Sequence, residues 1–461
     1  MSQSPAGDEN AFHVKRGEHL IADTIYALSS GRPPAPIAVI RLSGPAAGSV
    51  LGALCRKPPQ PRQAALRRLR HPATDAVLDD ALVLWLPGPA SETGEDMAEL
   101  HLHGGLAVIA GLFDALAGFE GVRPAGPGEF TRRSFENGKL DLVQAEAIAD
   151  LIDAQTEGQR RQAARQLEGA LGTLYDGWRD ELMRALAWLE AELDFSDEGD
   201  VPGSLRDEIL QIALRLHEAI TKHLADGRRG ERLRDGVRVV IVGPPNAGKS
   251  TLLNALARRD AAIVSETAGT TRDIIEVHLD LAGYPVILTD TAGLRDSGDT
   301  IEQEGVRRAR AAMQGADVIV RLTPAAASAT AARETLSGDA QLIEVVSKCD
   351  ELSASPSSSA GHRLSVKTGE GLEELVRMIA DRAASLCGRD EAPVLTRARH
   401  RAALTQCLAA LERFRAAAGT QGGELLAEDL RLATRSLGRI TGRVGVEDML
   451  DLVFADFCIG K

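Results

Sequence analysis

The hydrophobic period changes along this chain, and each change marks a new kind of element. From about residue 21 to 135, short β-type runs are broken by glycine and proline. Ile37-Ala-Val-Ile-Arg-Leu42 and Asp80-Ala-Leu-Val-Leu-Trp-Leu86 read as strands of a compact α+β domain. From Gly128 to Val201 there is no proline. Leu167, Leu171, Leu174, Trp178, Leu182, Leu186, Leu189 and Leu193 recur at three- and four-residue spacing, one apolar stripe on a long helix. Pro202-Gly203 ends that pattern, and a further helical segment runs from Leu205 to about Arg234.

At Val237 the period switches. Arg238-Val-Val-Ile-Val-Gly243 reads as a buried strand, and Val286–Asp290, Ala316–Val320 and Gln341–Val346 repeat the pattern with helical stretches between them. Strands alternating with helices imply a mostly parallel sheet with helices on both faces. After Pro393 the chain returns to helix, with Leu404, Leu408, Leu411 and Phe414 on one face. Helix before and helix after suggest an α/β unit inserted into a helical domain at a surface loop. The expected fold is multidomain, α/β plus α. It comprises a disordered lead-in (1–20), an N-terminal α+β domain (21–138), a helical domain in two parts (139–235 and 388–461), and the inserted α/β domain (236–387). Ala325–Ala332 and Ser353–Ser359 read as loops or variable helix, and no internal repeat is present.

Length agrees: 461 residues, at roughly 100–200 per domain, make about three domains. Aromatics are only 3%, so the cores must be built of Ala, Leu, Val and Ile. A net charge of −13 argues against a general electrostatic nucleic-acid coat, so an RNA partner would need local basic patches. The cysteines Cys55, Cys349, Cys387, Cys407 and Cys458 are scattered without a CxxC pair, which suits a reducing compartment. No stretch nears the ~20 apolar residues of a membrane helix, and the N-terminus lacks a signal-peptide core. A cytoplasmic location is expected.

The chemistry lies in the α/β unit. Gly243-Pro-Pro-Asn-Ala-Gly-Lys-Ser250 fits GxxxxGK[ST] and lies between a strand and a helix expected from Thr251 to Arg258. Its amides and the helix N-terminus suit phosphate. Lys249 would reach the β- and γ-phosphates and Ser250 would ligate magnesium. Asp290-Thr-Ala-Gly293 follows a second strand; Asp290 would hold magnesium through water, and the Gly293 N–H would sense the γ-phosphate. Ser347-Lys-Cys-Asp350 follows a third. A carboxylate at Asp350 can accept guanine N1–H and N2–H, which adenine does not offer, with Lys348 along the base. Ser365-Val-Lys367 follows a fourth, where a backbone N–H meets guanine O6. In Ala268-Gly-Thr-Thr-Arg-Asp273, Thr271 is the candidate switch threonine on magnesium. Together these predict a GTP hydrolase. Leu294 stands where many such enzymes orient water with glutamine.

At this point the residues resemble the MnmE/TrmE family of tRNA-modification GTPases. The likeness runs from about Asp23 to Lys461. It is carried by Thr93-Gly-Glu-Asp96 with His103-Gly-Gly105, Pro127-Gly-Glu-Phe-Thr-Arg-Arg133, Lys139–Ile152, the asparagine-bearing P-loop, Gly269-Thr-Thr-Arg-Asp273, Asp290-Thr-Ala-Gly-Leu-Arg295 and the terminal Cys-Ile-Gly-Lys461. The nucleotide set expected is Asn246, Ala247, Gly248, Lys249, Ser250 and Thr251; Ser265, Glu266, Thr267, Ala268, Gly269, Thr270 and Thr271; Asp290, Thr291, Ala292 and Gly293; and Ser347, Lys348, Asp350, Ser365, Val366 and Lys367.

The resemblance implies potassium dependence, with Asn246, Ser265, Thr267 and Thr270 around the ion. Such a cation neutralises charge where other systems use an arginine finger. It also implies that Glu302 orients the water, compensating for Leu294. A solvated helix-start acid beside Glu304 is the plainer reading of Glu302, and Arg272 is an alternative finger. The N-terminal domain resembles a folate-binding domain for a 5-formyltetrahydrofolate-type donor, with Arg41, Glu99, Lys139 and Lys461 at the ligand positions. Taken singly, these are ordinary surface charges. The family act is installation of an aminomethyl-type group, commonly carboxymethylaminomethyl, at C5 of the tRNA wobble uridine. It works as a homodimer with a flavoprotein partner of the MnmG/GidA type.

Three departures stand out. Ser347 replaces the usual asparagine, which puts a contact to guanine or the P-loop at stake. Val366 replaces alanine, and Gly31-Arg-Pro-Pro-Ala-Pro36 is proline-rich. Two other readings of the whole remain open: a ribosome-assembly or RNA-chaperone GTPase, and a dimerising mechanical switch. On a strand His101 and His103 would share a face, but no third metal ligand is visible, and Cys458-Ile-Gly-Lys461 is a poor prenylation signal. Arg307-Arg308 and Arg397-Ala-Arg399 read as solvated helical faces, with tRNA phosphate as the alternative.

Overall fold

The computed structural model describes residues 23–194, 204–259, 276–290, 313, 315–326, 340–351, 361–388, 393–418, 423–445, 447–455 and 457–460. The chain divides into two compact units, one of residues 1–140 with 447–461, the other of residues 141–446. The terminal segment, expected in the second helical part, thus groups with the N-terminal residues.

The first unit is a six-stranded sheet in the order β3-β4-β5-β2-β1-β6. Its elements are β1 (Thr24–Leu28), β2 (Ala35–Ser43), α1 (Ala47–Cys55), β3 (Ala65–Arg70), β4 (Val77–Leu86), β5 (Met97–Gly104), α2 (Leu106–Ala117), β6 (Val122–Pro124) and α3 (Glu129–Glu136). All pairs are antiparallel except β1 with β6. Of these strands only β2 and β4 were anticipated; β1, β3, β5 and β6 were not. In β5, Leu100 and Leu102 are buried while Glu99 and His101 alternate with them. One buried face suffices to hold such a strand. The core joins that face to Val50, Leu51, Leu112 and Leu116 of the helices.

Arg133 of α3 is fully buried. Its guanidinium meets Asp23 at 2.9 Å, Glu95 at 3.1 Å and Glu129 at 3.1 Å, so the buried charge is compensated. The terminal segment carries a helix, Glu447–Ala455, and a bridge between Pro127 and Ile459. Gly128, at φ 62°, lets it approach: a Cβ there would lie 2.9 Å from the Phe457 Cβ.

The second unit begins with α4 (Leu142–Asp153), α5 (Glu157–Leu167), α6 (Ala170–Asp194), α7 (Ser204–Leu224) and α8 (Arg229–Asp235). The long helix is therefore shorter than its leucine stripe predicted. Leu167 ends α5, and Gly169 at φ 87° breaks the chain before α6. The segment from Leu205 to Arg234 is likewise two helices, divided where Gly227 and Arg228 take positive φ. Asp141 with Gln144, and Thr156 with Gln159, form capping boxes at the starts of α4 and α5.

The inserted part contains β7 (Val237–Val242), α9 (Lys249–Ala257), β8 (Glu276–Leu281), β9 (Tyr284–Asp290), β10 (Val318–Pro324), β11 (Gln341–Ser347), β12 (His362–Leu364) and α10 (Leu372–Cys387). Its sheet order is β12-β11-β10-β7-β9-β8, parallel except for the β8–β9 hairpin. Helices α11 (Ala398–Ala417) and α12 (Gly423–Thr441) then close a core with α6 and α7 around Tyr175, Leu182, Ile220, Leu404 and Leu437.

Beneath that core sits a buried polar network. Glu146 of α4 receives Arg399 at 2.5 Å and His400 at 3.1 Å, while Asp150 takes both Arg397 and Arg234. Burial pushes toward the neutral acid, but Arg399 and His400 outweigh it and hold the Glu146 carboxyl far below the usual carboxylate range. Burial and the neighbouring Arg399 push His400 down to about 4. Arg397 and Arg399 are therefore internal ion-pair partners, neither a solvated face nor free for phosphate. Arg307 and Arg308 lie outside the described residues.

Candidate functional site

In a parallel sheet the carboxyl ends of the strands share one edge, and a crevice opens where the strand order reverses. Here β7 is first in sequence among the parallel strands and sits between β10 and β9. The residues after β7, at the end of β9, at the end of β11 and after β12 all fall on that edge. These are Gly243–Ser250, Asp290, Ser347–Asp350 and Ser365–Lys367. Four motifs spread between Gly243 and Lys367 are thus brought together by register.

The turn from β7 to α9 is built for close approach. A Cβ on Gly243 would lie 2.5 Å from the Leu322 carbonyl oxygen. Asn246 takes φ 61°, a conformation asparagine tolerates, and Gly248 takes φ 93° as the residue before α9. Ala247 is fully buried, whereas Asn246, Ser250 and Thr251 are exposed at the rim. The Lys249 ammonium donates to the Gly243 and Pro244 carbonyls at 2.9 and 3.1 Å, so it is held along the inside of the turn. The α9 helix starts at Lys249, two residues before the predicted start.

The base-side elements are tied to this turn. Ser347 is buried, and its Oγ donates to the Ala247 carbonyl at 2.8 Å. Lys348 takes φ 59°, turning the chain toward the exposed Asp350. The buried Ser365 donates its Oγ proton to Asp350 Oδ1 at 2.7 Å and receives the Thr368 N–H. That hydrogen bond, with Lys367 and Lys348 adding charge, holds the Asp350 carboxyl below the usual range. An ionised acceptor fixed beside a strand end is what guanine N1–H and N2–H require. Val366 is half-buried against the sheet core and Lys367 is exposed.

Asp290 closes β9 beside Ile241 of β7. The residues Ser265, Glu266, Thr267, Ala268, Gly269, Thr270, Thr271, Arg272, Thr291, Ala292, Gly293, Leu294 and Glu302 lie outside the described residues.

In the first unit, Arg41 and Glu99 are direct cross-strand partners on β2 and β5. Arg41 meets Glu99 at 2.9 Å and Glu92 at 2.9 Å, and His101 lies 3.3 Å from the other Glu99 oxygen. Lys139 donates to the Pro89 carbonyl at 3.0 Å and lies alongside Gly94. The loop 87–96 thus meets Arg41 through Glu92, which sequence reasoning missed, and Lys139 through the Pro89 carbonyl, while Glu99 joins the group through Arg41. Lys461 lies outside the described residues; the preceding Gly460 reaches the end of β1, where a Cβ would meet the Leu28 carbonyl at 2.3 Å. His103 pairs with Asp79 at 2.8 Å.

Sequence reasoning also missed the join between the helical part and the inserted sheet. Gly158 of α5 donates to the Gly283 carbonyl in the β8–β9 turn at 2.9 Å, and a Cβ on Gly158 would lie 2.6 Å from that oxygen. Gln159 and Gln162 donate to the Arg234 and Gly230 carbonyls of α8, each at 2.9 Å. The glycine in an otherwise helix-favouring first turn was the available signal.

Two family models match this sequence: "GTP-binding protein TrmE N-terminus" over residues 24–139 and "MnmE helical domain" over residues 142–458. The chain is 55% identical to the tRNA modification GTPase MnmE of Parvibaculum lavamentivorans over 442 residues, 95% of this chain and 100% of that protein. It is 50% identical to the protein of the same name from Rhodospirillum rubrum over 460 residues, 96% of this chain and 100% of that protein.

Proposed function

The chain belongs to the MnmE family of tRNA modification GTPases, and on that premise we propose that it couples GTP hydrolysis to modification of the tRNA wobble uridine. The observation that carries this reading is the single sheet edge holding the phosphate turn, Asp290, Asp350 and Ser365, in a chain whose likeness to its relatives spans their whole length. GTP lies with its phosphates over Asn246–Thr251 and its base against Asp350 and Ser365–Lys367. Lys249 exchanges its two carbonyl partners for phosphate oxygens, and Ser250 and Thr271 hold magnesium.

In the finer reading, Asn246, Ser265, Thr267 and Thr270 hold potassium and Glu302 orients the attacking water. Arg41, Glu99, Lys139 and Lys461 hold a 5-formyltetrahydrofolate-type donor. The Arg41–Glu99–Glu92 cluster supports this, because it presents a paired cation and carboxylates at one strand pair. Glu99 can accept from pterin nitrogens and the cations can meet glutamate carboxylates. The product is a carboxymethylaminomethyl or aminomethyl group at C5, made by a homodimer with an MnmG/GidA-type flavoprotein in the cytoplasm. Among the described residues no helix is long and apolar enough to cross a membrane.

Nucleoside analysis of tRNA from a strain lacking this chain tests the reading. Loss of the modified wobble uridine is expected; an unchanged profile overturns it.

A further inference from the structure

Within the second unit, an open cleft of about 840 Å³ lies between the helical part and the inserted sheet. Its walls are α5, α6, α7 and the β8–β9 turn. Arg161, Arg165, Lys222 and Arg229 line it, against the acids Glu157 and Asp226. Both acids are already engaged, Glu157 by Arg160 and Arg161 and Asp226 by Arg401. Arg165 and Lys222 make no ion pair or hydrogen bond among the described residues. In a chain of net charge −13, this is the local basic patch that an RNA partner would require.

The lining has a second, independent feature. Gln162 is only 6% exposed, and its amide nitrogen is committed to the Gly230 carbonyl at 2.9 Å. Its Oε1 has no hydrogen-bond partner. A buried acceptor without a donor is costly; this oxygen is closed to solvent, so a ligand donor meets it only when the Gln162 side chain turns toward the cleft. Fully ionised phosphate has no donor. A ribose 2′-hydroxyl has one. Half-buried Trp178 and Tyr284 add aromatic surface to the same cleft.

We propose that this cleft binds the ribose-phosphate backbone of tRNA, with Arg165 and Lys222 on phosphates. The proposal deepens the wobble-uridine reading and rests on it. It also places RNA against the β8–β9 turn, which Gly158 holds through the Gly283 carbonyl. Strand β9 runs from that turn to Asp290 at the nucleotide edge. RNA in the cleft therefore touches a hairpin that leads to the magnesium position.

The test is tRNA binding by the full chain across a salt series, comparing wild type with the Arg165→Ala/Lys222→Ala double variant. Neither residue belongs to the nucleotide site, so basal GTP hydrolysis and melting temperature should be unchanged. The variant should bind tRNA at least ~10-fold more weakly, and its salt slope should fall by about 2, roughly one per lost phosphate contact. Arg165→Lys with Lys222→Arg should retain binding. Equal affinity and slope in wild type and Ala variant would overturn the cleft assignment while leaving the tRNA reading standing. If wild type binds no tRNA and the deletion strain keeps its wobble nucleosides, both fall together.

Discussion

Ser347 Oγ donates to the Ala247 carbonyl across a distance of 2.8 Å, joining the base-recognition segment to the phosphate turn. Serine stands here where the guanine motif usually has asparagine, and the shorter side chain still reaches the P-loop. The bond is buried, so its net value is about 0.5–1.5 kcal/mol. Ser347→Ala should weaken GTP binding by ~2- to 10-fold with little change in hydrolysis by saturated enzyme. Titration calorimetry with a non-hydrolysable GTP analogue reads this directly; unchanged affinity would show the tie to be dispensable.

The Ser365 hydroxyl orients Asp350 and helps hold its carboxyl below the usual carboxylate range. Asp350→Asn replaces one acceptor oxygen with a donor facing guanine N1–H and N2–H. Affinity for GTP should drop at least ~10-fold, and discrimination against xanthosine triphosphate should relax. Ser365→Ala should show a milder loss with guanine preference intact. Competition binding with the two nucleotides separates these outcomes.

Hydrolysis should accelerate strongly in potassium and not in sodium, and Asn246→Ala should remove the difference. Glu302→Ala should slow turnover ~100-fold or more with near-normal nucleotide affinity, because orienting water acts on the reaction and not on binding. Rates measured across alkali cations and protein concentrations address both. Equal rates in potassium and sodium would remove the ion-binding role given to Asn246.

Burial and Arg399 hold His400 neutral, with its ionisation pushed down to about 4. In the unfolded chain it takes a proton near 6.5. The unfolded state therefore binds more protons as pH falls between these values. Stability is fully present above about 6.5 and is lost as pH falls toward 4, by up to ~1.4 kcal/mol per pH unit from this residue. Half-buried His223 is also pushed down by burial and acts in the same sense. His400→Leu should flatten the slope of urea-unfolding free energy between pH 6.5 and 4.5; an unchanged slope would assign the effect elsewhere.

A side chain on Gly158 has nowhere to go. The added Cβ would lie 2.6 Å from the Gly283 oxygen and 2.9 Å from a Leu233 methyl. Gly158→Ala should push α5 off the β8–β9 turn at a cost of about 1–3 kcal/mol. The readout is a lower melting temperature, together with faster exchange of the backbone amide at position 158 than in wild type. A variant as stable as wild type would mean the two elements separate freely.

Much of this protein is local chemistry, and local chemistry is readable. The glycine-rich turn, Asp290, the Ser347–Asp350 segment and the strand-then-helix alternation each depend on residues adjacent in the chain, so spacing alone disclosed them. The Leu171–Leu193 stripe disclosed α6 for the same reason, although the positive φ of Gly169 cut Leu167 away from it.

Tertiary structure decided what faces what. Arg397 and Arg399 look like solvated charges until α4 brings Glu146 and Asp150 beneath them. Strand β5 hides behind its glutamate and histidines until β2 and β4 flank it. The Ser347 tie, the Gly158–Gly283 join and the cationic cleft all unite residues far apart in sequence. Periodicity reports which face of an element is apolar, but not which other element covers it, because that choice is made by long-range register and burial.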